Sequence, residues 1–96
     1  MVLPQKIDRA NAEQIAVGAL AYLAADEGRL RRFLDVTGLD PGTIRRAAAS
    51  PRFLAAVLEY VMGDEALLLA FAEHHAVAPE HVGAALRALA PSDPDG

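Results

Sequence analysis

The sequence predicts an all-α protein, a compact array of five or six short helices forming a single domain over residues 1–90. Two observations carry that prediction. Capping residues stand before apolar stretches at Asp26, Asp40, Ser50 and Asp64, with Pro41 and Pro51 at first helical positions, where the missing N–H costs nothing. Within the stretches the large apolar residues recur every three or four positions, and nowhere do they alternate as a half-buried strand requires.

The elements follow in order. Asn11 with Gln14 reads as a capping-box start for helix 1, which runs to about Ala25 and carries Ile15, Leu20, Tyr22 and Leu23. Asp26 caps helix 2, with Leu30, Phe33 and Leu34 facing inward. Gly38 stands where a left-handed helix terminator belongs and is expected at positive φ. A short helix 3 carries Ile44, Ala47 and Ala48. Helix 4 presents Phe53, Leu54, Val57, Leu58 and Val61 on one face. Helix 5, from Ala66 to Ala72, is apolar on every side, which suits a helix central to the fold or covered by a partner. Helix 6 starts at Pro79 and faces Val82, Leu86 and Leu89 inward. Phe53, Leu58, Leu68 and Phe71 are expected in the core. The tail, residues 91–96, has no apolar anchor and is expected to be mobile.

Composition narrows the function. The chain is 53% apolar and 23% charged, enough to fold one core. It has no cysteine, which excludes disulfides, thiolate zinc sites and a cysteine nucleophile and fits the cytoplasm. No secretory leader is visible at Met1–Lys6. The longest uncharged run, Gln14–Ala25, is too short to span a bilayer, so no membrane role is expected. The net charge of −4 is unevenly placed. Residues 26–52 carry six Arg against four acids, whereas residues 53–96 carry Arg87 against seven.

Arg32-Phe33-Leu34, Thr37-Gly38-Leu39, Pro41, Pro51 with Phe53-Leu54, Val57-Leu58, Asp64-Glu65, Leu68 and Phe71 form a recognisable set. On these residues the run from Leu30 to Leu89 resembles a small alphaproteobacterial family of unknown function. It implies a helical cytoplasmic protein and no particular activity.

Candidate chemistry is sparse. His74, His75 and His81 lie near Glu73 and Glu80, but His74 and His75 diverge by about 100° on one helix and Pro79 intervenes before His81. No metal site is expected. Asp64-Glu65 reads as a cap and a first-turn acid, without a partner nucleophile or base. We therefore expect no enzyme and no cofactor.

Two function classes remain. The first is a non-catalytic protein-interaction module, binding a protein partner or a second copy of itself. Its surface would combine Leu67 and Leu69 of helix 5 with Arg31, Arg32, Arg45 and Arg46 as a polar rim. The alternative is a helix-turn-helix DNA binder built on residues 34–47, with Arg45 and Arg46 on the recognition helix. Nucleic acid is the weaker expectation. The second helix is short and lacks Asn or Gln to read base edges, and the chain is acidic overall, with a pI near 5.2.

Overall fold

The computed structural model describes residues 8–47 and 50–89. The described residues form six helices and no strand: α1 (Arg9–Ala24), α2 (Glu27–Thr37), α3 (Pro41–Ala47), α4 (Pro51–Met62), α5 (Glu65–His75) and α6 (Pro79–Leu89). The expected tail at residues 91–96 and Ala48 of helix 3 lie outside the described residues.

Side-chain caps set most of the helix starts, each satisfying an amide that the first turn leaves without a partner. Asp26 Oδ2 accepts from the Arg29 N–H at 2.9 Å, Asp40 Oδ1 from Thr43 at 2.8 Å, Ser50 Oγ from Phe53 at 3.4 Å and Asp64 Oδ1 from Leu67 at 3.2 Å. Helix α1 begins earlier than the Asn11–Gln14 pairing suggests. Asp8 is its cap, accepting from the Asn11 N–H at 2.8 Å, so Asn11 lies within the first turn. A carboxylate three residues upstream captures that amide, which leaves Asn11 no capping role.

Two helices end in the left-handed conformation. Gly38 terminates α2 at φ 76°, as expected, and its N–H donates to Leu34 O at 2.8 Å. Thr37 reinforces this end, donating its hydroxyl to Phe33 O at 2.7 Å. Ala76 terminates α5 at φ 58°, a position where the sequence offers no glycine.

The centre of the fold belongs to α1 and not to α5. Helix α1 packs against α6, α4, α2 and α5, with α6 its most extensive partner. Ala12, Ala16 and Ala19 are fully buried, and their short side chains let neighbouring helices close on the α1 backbone; Ile15 and Leu23 complete this face. Opposite it, α4 contributes Phe53, Leu54, Val57, Leu58 and Val61, while α6 contributes Val82, Ala85 and Leu89. Phe33 of α2 is fully buried, edge-on to Phe53 at 6.5 Å and to Tyr60 at 5.1 Å. Helix α5 sits at the margin: Phe71 and Ala72 are buried, Leu67 and Leu68 are half-buried, and Leu69 is 51% exposed. Leu68 therefore flanks the core that it was expected to occupy.

Candidate functional site

The residues singled out in the sequence are distributed over several surfaces. Arg32 and Leu67 share a cleft of about 390 Å³ between α2 and the α4–α5 corner, with Tyr60 and Asp64 in its walls. Arg31 lies on the other side of α2, beside Leu30, Leu34, Glu27 and Asp35. Leu69 projects from α5. Arg45 and Arg46 occupy the last turn of α3, both exposed.

The 34–47 segment does present a helix, a turn at Gly38 and a second helix. That second helix, α3, is seven residues long, about 10 Å, and Arg45 turns toward an apolar groove. The His74, His75 and His81 group is not assembled. His74 lies tilted against Tyr22 at 5.0 Å, His75 lies against Phe71 at 5.2 Å, and no three His, Asp or Glu side chains among the described residues converge to hold a metal ion.

Among the described residues an apolar groove of about 430 Å³, which Arg45 faces, lies between α1, α2 and α3. Its origin lies in α1. The core face of that helix is Ala12, Ile15, Ala16, Ala19 and Leu23, and a second apolar stripe runs through Val17, Leu20, Ala21 and Ala24. The second set has spacing i, i+3, i+4, i+7, and at 3.6 residues per turn its centre lies about 135° around the axis from the first. One stripe faces α4 and α6. The other forms a wall of the groove, opposite Leu30 and Leu34 of α2 and Pro41 and Ile44 of α3.

Among the described residues no acid lines this groove. Leu20, Leu30, Leu34 and Ile44 are half-buried, and Val17 is 49% exposed. Arg45 is the one charged residue in the lining, and among the described residues its guanidinium has no ion-pair partner. This groove lies apart from the Leu67-Leu68-Leu69 run, the most concentrated apolar stretch of the sequence. The available signal was the doubled helical spacing in α1, which carries more apolar residues than one core face can use.

The described residues thus form an all-helical domain of six helices with an open apolar groove between α1, α2 and α3. The chain belongs to the family described as "Protein of unknown function (DUF3572)", whose model matches residues 9–92. No curated protein and no solved structure matches it. No helix among the described residues is long and apolar enough to cross a membrane.

Proposed function

We propose that this chain is a non-catalytic protein-interaction module that works through the groove between α1, α2 and α3. The supporting observation is the second stripe on α1. Val17, Leu20, Ala21 and Ala24 repeat the spacing by which a helix buries one face, yet Leu20 is only half-buried and Val17, Ala21 and Ala24 stay exposed. Leu30, Leu34 and Ile44 widen the stripe into a concave surface, as helix-in-groove recognition requires. The setting we propose is the cytoplasm of an alphaproteobacterium, which the resemblance over residues 30–89 implies.

Affinity capture from the source cells, comparing the native chain with Val17→Glu, tests this reading. We expect partners retained by the native chain and lost from the variant; an identical set on both would overturn it. The helix-turn-helix alternative keeps its own arm. Duplex DNA titrated at low salt would have to bind, dissociate as salt rises and depend on Arg45 and Arg46 to displace the interaction reading.

A further inference from the structure

We propose that the groove receives a single amphipathic helix from a partner protein, with a carboxylate of that helix meeting Arg45. This inference rests on the interaction reading above and adds the chemistry of the occupant.

Shape selects a helix. The α1 wall is itself helical, rising from Val17 to Ala24 over about 10 Å, or two turns. Ala21 and Ala24 are short, so an incoming backbone can approach α1 at the 8–10 Å separation of packed helices. The groove is also open. Val17 is 49% exposed, so a small apolar ligand lying there would keep much of its surface in water, whereas small-molecule sites usually bury about 70–90% of theirs. A helix has a polar face to present to water and loses nothing by this openness.

Charge selects an acidic helix. Arg45 lines an otherwise apolar wall and has no acidic partner among the described residues. Burial beneath a neutral or basic helix would strip water from that guanidinium without compensation, and a basic helix would add repulsion. A carboxylate on the partner supplies the missing acceptor, and the guanidinium fork can engage both of its oxygens. Self-pairing meets this need poorly. A two-fold contact places the same patch on both sides, and the described lining of the groove has no acid to offer the second Arg45.

A displayed library of 16-residue peptides, selected on the full chain and on its V17E and R45E variants, tests the inference. Selection on the native chain is expected to enrich peptides with an apolar i, i+3, i+4, i+7 stripe and an Asp or Glu within one turn of one end. Binding should fall at least tenfold on V17E. On R45E the acidic peptides should also weaken tenfold, and reselection should favour Lys or Arg at that end. Amide shift changes on the native chain with a selected peptide should map to residues 17–24 and 44–45, a readout independent of whether either variant folds.

Apolar peptides enriched without charge preference would overturn the acidic-helix inference while leaving the groove as an interaction site. Peptides indifferent to V17E, with shifts mapping elsewhere, would overturn both. A concentration-dependent dimer in sedimentation, abolished by V17E, would make a second copy the occupant and overturn the inference.

Discussion

The imidazole of His75 rests on Gly18. A Cβ at that glycine would stand 2.5 Å from His75 Cε1 and 2.9 Å from its Nδ1, inside any tolerable contact. The other side of the ring lies nearly parallel to Phe71, with centroids 5.2 Å apart and planes 24° apart. Gly18 thus lets α5 approach α1 closely enough to hold a flat ring between them. Two opposing effects meet at this position. Alanine within a helix is favoured over glycine by about 1 kcal/mol, whereas forcing the ring out of a packed site costs about 1–3 kcal/mol. Gly18→Ala alone is expected to destabilise the fold by about 1 kcal/mol. In a His75→Ala background the same change should stabilise it by up to about 1 kcal/mol. A double-mutant cycle by urea unfolding checks the reversal of sign.

The two left-handed helix ends predict opposite responses to reciprocal substitutions. Gly38→Ala introduces a side chain at φ 76° and should destabilise by about 1 kcal/mol. Ala76→Gly removes a strain of about 1–2 kcal/mol at φ 58°. Against this stands the greater freedom that glycine gives the unfolded chain, about 0.5–1 kcal/mol, so the net gain should be roughly 0.5–1 kcal/mol. Paired thermal melts of the two variants, moving in opposite directions, would support the assignment; a loss with Ala76→Gly would refute it.

Truncation of the buried rings should be severe. Phe71 is fully buried beside Tyr22 and His75, and Phe53 is 7% exposed beside Phe33. Replacing either with Ala should cost about 3–5 kcal/mol, a large share of a small domain's stability. Leu69→Ala, at the exposed side of α5, should stay within about 0.5 kcal/mol. Chemical denaturation of the three variants ranks them.

Asp40 makes the start of α3 sensitive to acid. The Thr43 backbone N–H at 2.8 Å, and then the Thr43 hydroxyl at 3.1 Å, hold its carboxyl below the ordinary aspartate value. A folded value below the unfolded one means stabilisation that is present above the unfolded value and lost as pH falls through the folded one. Asp40→Asn keeps a capping oxygen without the charge. The stability difference between the native chain and this variant should therefore hold steady from neutral pH to about pH 5, then shrink toward more acidic pH. Unfolding measured at stepped pH decides it, and a difference that grew on acidification would contradict the cap.

Local chemistry made most of the fold legible. Asp26, Gly38, Asp40, Ser50 and Asp64 each act through neighbours within four residues, so their roles are written in short stretches of chain. The relative placement of helices is a different matter. Helix α5 has apolar residues around its whole circumference, yet Leu69 faces outward, because α1, longer and supplied with Ala12, Ala16 and Ala19, is the helix that its neighbours can surround. The groove depends on where α2 and α3 fall relative to Val17, and no local spacing encodes that. Ala76 was hidden for a related reason, since its backbone is held in place by hydrogen bonding of its own N–H to Glu73 O and of the Val77 N–H to Ala72 O, with no residue type announcing it.

The pairing of α1 with α6 also sets a schedule for synthesis. Helix α1 finds its largest partner in α6, which is complete about 65 residues after α1. At the usual 5–20 residues per second, α1 waits roughly 3–13 s for α6 to be made. During that interval the face of α1 that packs on α6 lacks its cover, and the stripe at Val17 lies open as well. The nascent chain is thus a candidate client for chaperones that hold apolar helices, and cutting the chain before Pro79 should leave an aggregation-prone fragment in place of a smaller domain.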